Sequence, residues 1–290
     1  MKNAIITIAI ALLATFVGVK VFAPAGGAAA AKETAYERVM RTGVLRCGYG
    51  MWPPHMLIKD PQTGKVGGIM HDIVEDMASR LSLKVEWAEE TGWGNWIEAM
   101  RSGRFDAFCA GNWMTAERGR YVSYLTPPLF YNPVYAYVRV DETRFDAYDF
   151  TTINRPDIKI SAQDGEMSDL IAKKYFPLAQ AVNIPQLADL NDILLNVAMK
   201  KADIVFNEAS FVNGFLAQNP GKLKKLSDKP FNIFSLALSI PQEENRLKGM
   251  METALTEMQG QGVIEKIVRS YEPDPGIILM PQPPYGGIKD

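Results

Sequence analysis

Reactive side chains of two kinds are scarce in this sequence: it has two histidines and two cysteines among 290 residues. His55 and His71 lie far apart, and no Cys/His cluster has zinc spacing, so neither a metal nor a cofactor is expected. Cys47 and Cys109 each sit in a strongly apolar, strand-like stretch, where a thiol behaves as a small hydrophobe. Two buried thiols are expected, although export would permit a disulfide. An excess of one charge is missing too. The 31 Lys and Arg against 33 Asp and Glu leave a net charge of −2, which offers no basic field to nucleic acid. No nucleophile–base pair stands out, and no kinase, second membrane span or coiled coil comes after Tyr271. These features argue against an enzyme that works through a nucleophile or a metal and against a signalling partner appended to the chain.

The residues present fit a globular protein large enough for two lobes, with 47% hydrophobic and 22% charged residues. Lys2 precedes an unbroken apolar and small-residue run from Ala4 to Val19, with the Ala-rich stretch Ala25 to Ala31 beyond it. This pattern describes an export signal with cleavage after Ala30 or Ala31. An uncleaved tether is the alternative for residues 1–31, but the run is short for a span of roughly 20 apolar residues. No cysteine stands after it to carry a lipid.

Downstream, strands alternate with helices. Val44–Gly50 is a short apolar strand, and Ile69, Ile73, Met77 and Leu81 form one helix stripe. Leu83, Val85 and Trp87 alternate as a strand does, Trp96–Met100 suits a short helix, and Phe105–Gly111 is a strand buried on both faces. This β-α-β-α-β order predicts parallel strands. It recurs with strands at 158–162, 181–184 and 202–207 and helices at 168–175 and 190–197. Both units end alike, a helix running through a basic residue and Asp106 or Asp203 into a buried strand. Extended segments at 133–140 and 231–240 bracket the second unit. The fold class read from this is α/β and two-lobed, with the second lobe inserted into the first and two strands forming a hinge. Lobe 1 is expected at residues 36–138 and 240–271, lobe 2 at 139–239, and an irregular Pro/Gly-rich tail at 272–290.

Several motifs in this order resemble family 3 of the bacterial extracellular solute-binding proteins, over roughly Tyr36 to Tyr271. Gly48-Tyr-Gly-Met-Trp-Pro-Pro54 is similar to the family's first-strand motif, and Arg101-Ser-Gly-Arg-Phe-Asp-Ala107 to its Ser-Gly-Lys-x-Asp-Ala element. Ala110-Gly-Asn-Trp-Met-Thr-Ala-Glu-Arg118 resembles its ligand-carboxylate motif, which includes Gly111. The resemblance implies a type II periplasmic binding fold and a monomer. It implies a periplasmic receptor that passes a small polar, amino-acid-like ligand to the permease of an ABC importer. Arg118 matches the residue that clamps the ligand's carboxylate, a role its donor fork suits. Thr115 stands three residues earlier, at an expected helix start whose free N–H groups would favour an anion. Trp52 matches a stacking aromatic, and Glu208 stands where relatives carry an Asp that pairs with the ammonium.

Two departures bear on the ligand. Trp113 occupies a position where relatives carry Ser or Thr, and Glu166 and Met167 stand where relatives carry a Thr-Thr pair after glycine. Acids and aromatics gained there suit a ligand with a cationic or aromatic part. The rival readings are a cyclohexadienyl-dehydratase-like enzyme, using Glu166 or Glu208 as proton donor if burial raises its pKa, and a ligand-sensing domain for a signalling partner.

Overall fold

A computed structural model describes residues 33–146, 149–272 and 276–281. The expected export signal lies outside these residues. The compact body begins at Ala35. Its first stretch holds α1 (Ala35–Thr42), β1 (Val44–Tyr49), β2 (Leu57–Asp60), β3 (Lys65–Gly67), α2 (Ile69–Arg80), β4 (Lys84–Glu90), α3 (Trp96–Arg101), β5 (Ala107–Trp113), β6 (Val122–Tyr124) and β7 (Phe130–Arg139). Then come β8 (Lys159–Gln163), α4 (Met167–Tyr175), β9 (Gln180–Ile184), α5 (Asn191–Ala198), β10 (Ile204–Glu208), α6 (Ala209–Gln218) and β11 (Leu223–Lys225). The chain returns through β12 (Asn232–Pro241), α7 (Asn245–Gly260) and α8 (Val263–Tyr271).

One sheet carries both repeats, in the order β4-β1-β5-β12-β7-β10-β8-β9. Within each repeat the strands are parallel and share the order second-first-third. The antiparallel pair β7 and β12 joins the two halves and pairs outward with β10 and β5. This is the two-lobed, inserted arrangement with two connecting strands that the sequence predicts. The repeated Asp has a structural explanation. Asp106 accepts the backbone N–H of Arg46 at 2.8 Å, and Asp203 accepts that of Lys159 at 2.8 Å. Each carboxylate thus satisfies an N–H of the neighbouring parallel strand where pairing stops.

The core occupies the predicted stripes. α2 buries Ile69, Met70, Ile73, Val74, Met77 and Ala78, and every residue of β5 is buried. The short β2–β3 hairpin has no sequence counterpart; its two strands are too short and too exposed to show an alternation. In the tail, Ile278 is fully buried and Leu279 pairs with Tyr131 of β7.

The expectation of two free thiols is overturned: Cys47 and Cys109 form a disulfide with a Cα–Cα distance of 5.4 Å. β1 and β5 are adjacent and parallel, with Cys47 opposite Ala107. That register puts Cys109 within reach, and residue-by-residue burial cannot reveal it. The bond closes 62 residues of chain. On the chain-entropy account a loop of this length contributes about 4 kcal/mol. The double variant Cys47→Ala/Cys109→Ala is therefore expected to lose about that much in denaturant unfolding. A loss under about 1 kcal/mol would contradict the entropic account.

Candidate functional site

The loop after β1 is clamped before it presents its aromatic side chain. Trp52 and Met56 exchange backbone hydrogen bonds, both at 2.9 Å. The first N–H groups of α2, on Ile69 and Met70, donate to the carbonyls of Pro54 and His55. Gly68 makes this approach possible. Its φ is +112°, and a Cβ there would lie 2.6 Å from the His55 carbonyl oxygen. Behind Trp52, the His55 ring stacks at 4.0 Å, fully buried; burial pulls its pKa down to about 3, so it is neutral.

From this platform Trp52 reaches the other half of the molecule. Its indole N–H donates to Glu208 Oε1 at the end of β10. Glu208 is 1% exposed, and its Oε2 has no hydrogen-bond partner. Burial first, and then the nearby charge of Glu166, push its pKa up to about 8.

Arg118 comes from the segment between β5 and β6 and is also buried. Its guanidinium donates to the Gly165 carbonyl at 3.1 Å and lies 5.7 Å from the centre of the Trp96 ring. It forms no salt bridge with another described residue. Burial lowers its pKa, yet a guanidinium stays charged at any physiological pH. The charges of Glu166 and Glu117 favour its charged form without touching it, and a buried cation with no contacting counter-ion remains costly.

A cavity of about 20 Å³ is lined by Trp52, Trp93, Asn112, Trp113, Arg118 and Glu166, with Met167 completing it; Glu208 lies behind Trp52, outside its wall. Trp93 and Trp113 meet Trp52 edge-on at 6.0 and 5.9 Å. Trp113 also stacks on Phe234 at 4.7 Å, so it serves packing and the cavity at once. Its indole N–H and Asn112 Oδ1 are buried without partners. Glu166 caps α4, accepting from the Ser168 N–H at 2.6 Å, and burial still raises its pKa. Among the described residues, no group of three His, Cys, Asp or Glu side chains could hold a metal.

Besides Glu208, two expected positions stay out of the cavity wall. Thr115 accepts the Arg118 N–H at 3.2 Å, but the element it leads into is a three-residue 3₁₀ turn, Arg118–Arg120. The expected helix, with its anion-favouring N–H groups, is not formed. Gly111 lies in β5, where Leu236 and Met70 come within 3.0 Å of the place a Cβ would take, and it stays out of the cavity wall. Sequence reasoning missed Trp93 and passed over Asn112 inside the Ala110–Arg118 motif. The Gly92-Trp-Gly94 triplet was the one available signal, a large aromatic held between glycines in a strand-to-helix loop.

Opposite halves meet closely here. Gly165, at φ +73°, lies so near Gly94 that a Cβ would sit 2.4 Å from the Gly94 Cα. The Gly94 N–H donates to Gln186 Oε1 at 3.0 Å.

The family model for bacterial extracellular solute-binding proteins, family 3, matches residues 45–274. A protein of Campylobacter jejuni subsp. jejuni described as a probable histidine-binding protein is 23% identical over 227 residues, 77% of this chain and 83% of that one. Among solved structures, an ancestral amino acid-binding protein described as a precursor of cyclohexadienyl dehydratase matches with a TM-score of 0.70 and 23% identity. It covers 82% of this chain and 99% of its own. An amino acid ABC transporter substrate-binding protein of Streptococcus pneumoniae, bound to L-arginine, matches with a TM-score of 0.69 and 19% identity, over 81% and 97% of the chains. These structural likenesses establish a shared fold.

Proposed function

This chain belongs to family 3 of the bacterial extracellular solute-binding proteins, and on that footing we propose that it is a periplasmic receptor delivering an amino acid with a cationic part to an ABC importer. The observation that carries the reading is the presence of two buried, incompletely satisfied ionisable groups on opposite halves. Arg118 makes no salt bridge among the described residues, Glu166 acting on it only without contact, and Glu208 retains an unpartnered oxygen. An α-carboxylate on Arg118 and an ammonium near Glu208 and Glu166 would complete both. The walls of Trp52, Trp93 and Trp113 suit a flat cationic side chain. The histidine and arginine in the relatives' descriptions agree with this class. The lobe division expected from the sequence puts Arg118 in lobe 1 and Glu208 in lobe 2, so the ligand would favour the closed form by touching both.

The test is a thermal-shift and calorimetric screen of the purified protein against basic, aromatic and neutral amino acids. Histidine, arginine or lysine is expected to raise the melting temperature, with about 2.7 kcal/mol of stabilisation at a hundredfold excess over Kd. No shift with any amino acid would overturn the receptor reading.

One observation favours a second reading. Glu208, with a pKa of about 8, is a protonated carboxylic acid at neutral pH, the form a proton donor requires. A dehydratase-like lyase acting on a cyclohexadienyl acid would use such a group. Turnover of that substrate monitored by NMR separates the two, since a receptor returns its ligand unchanged.

A further inference from the structure

Beside the Arg118 cavity lies a second and larger chamber of about 490 Å³, with Trp93 as the common wall. Its sides come from both halves: Leu57, Ile58 and Glu90 on one, Gln163, Gln186 and Leu187 on the other. At this volume it exceeds the needs of one amino-acid side chain and falls in the range that encloses drug-sized ligands. Two observations point to an occupant. Gln163 is 1% exposed, and its amide is oriented by two bonds from Nε2, to the carbonyls of Pro185 and Ala188 at 3.2 and 2.9 Å. Its Oε1 is therefore a fixed acceptor, and it has no partner. Buried polar atoms are rarely left so, and an acceptor held this way calls for a donor. At the same time Ile58 and Leu187 are 42% and 68% exposed and stand in opposite walls.

We propose that this chamber is a distal subsite, and that the ligand is a basic amino acid carrying an apolar substituent on its side-chain nitrogen. The inference rests on the receptor reading above, since the amino-acid head must occupy the Arg118–Glu208 site. The side chain passes Trp93, its N–H donates to Gln163 Oε1, and Glu90 supplies a carboxylate for its positive charge. The substituent beyond the nitrogen covers Ile58 and Leu187, which removes exposed apolar surface from water.

Calorimetric titration with L-lysine and Nε-butyl-L-lysine tests this. The butyl derivative is expected to bind at least tenfold more tightly. Leu187→Asp and Ile58→Asp, at exposed positions that leave folding intact, should erase that advantage. Gln163→Leu should weaken both ligands, with its melting curve reporting any loss of fold. Equal affinity for the two ligands, or an advantage that survives Leu187→Asp, overturns the subsite while the receptor stands. Binding of neither, by a protein that still binds another amino acid, overturns it as well. Failure to bind any amino acid removes the receptor reading and this inference together.

Discussion

Replacing Arg118 by alanine is expected to weaken binding of any α-amino acid by 100-fold or more. Truncating one partner of a buried, hydrogen-bonded charge pair costs about 2–5 kcal/mol, because the other charge is left desolvated and alone. In this site the loss belongs at the upper end. No second cation lines the cavity among the described residues, so a carboxylate there would face Trp52, Trp93, Asn112 and Glu166 with no counter-ion. Arg118→Lys keeps the charge but replaces a planar fork with a point donor, and should recover only part of the affinity. Titration calorimetry checks both variants, with melting curves to show that each is folded. Thr115→Ala, which removes the acceptor for the Arg118 N–H and a side-chain bond to Tyr124, should have a much smaller effect. An Arg118→Ala protein with unchanged Kd would remove the guanidinium from the site and with it the proposed binding mode.

Glu208→Gln is expected to flatten the pH dependence of both stability and ligand affinity. The Glu208 pKa is raised from 4.5 to about 8, chiefly by burial and next by Glu166. Below about 4.5 the carboxyl is protonated whether folded or unfolded, so its contribution is fully retained. As pH rises from there through about 8, the unfolded chain ionises first, and folded stability falls. At about 1.4 kcal/mol per unit, the fall is on the order of 5 kcal/mol at most. His55 slopes the other way. Burial holds it neutral to about 3, so wild-type stability also drops as pH falls below its ordinary 6.5. The difference between wild type and Glu208→Gln isolates the glutamate. Glutamine keeps an oxygen for the Trp52 N–H and carries no charge. Denaturant unfolding from about pH 5 to 9 should show wild type losing ground to the variant steadily up to about pH 8. A cationic ligand requires the ionised form, so wild-type affinity should rise with pH across the same window, by up to about tenfold per unit. The variant should bind more weakly and without that slope. Parallel pH profiles for the two proteins would exclude Glu208 as the titrating group.

Much of this architecture is legible before any coordinates. The α2 stripe, the almost wholly apolar β5 and the alternation around Trp87 announce elements whose faces are set by their own periodicity. The doubled Asp106 and Asp203 pattern announces a repeat, because each parallel strand end needs the same acceptor. Motif order brings Trp52, Trp113, Arg118, Glu166 and Glu208 to notice. Other features are invisible at that level. Thr115 predicts a helix that shortens to one 3₁₀ turn. Cys47 and Cys109 look like two apolar thiols until strand register makes them neighbours. Trp93 and Gln163 carry no motif, and each matters through the groups that lie across the cleft from it.

The parallel repeats, the insertion of one half into the other, and the residue types offered to a ligand are all written in the order of the residues. Local periodicity dictates the first two, and the unchanging chemistry of guanidinium, carboxylate and indole dictates the third. The disulfide, the Trp52 contact to Glu208, and the raised pKa of that carboxyl exist only once the chain is folded. Each of those depends on distance and dielectric between residues remote in the chain, and burial of a charge is a property of its surroundings and not of its type.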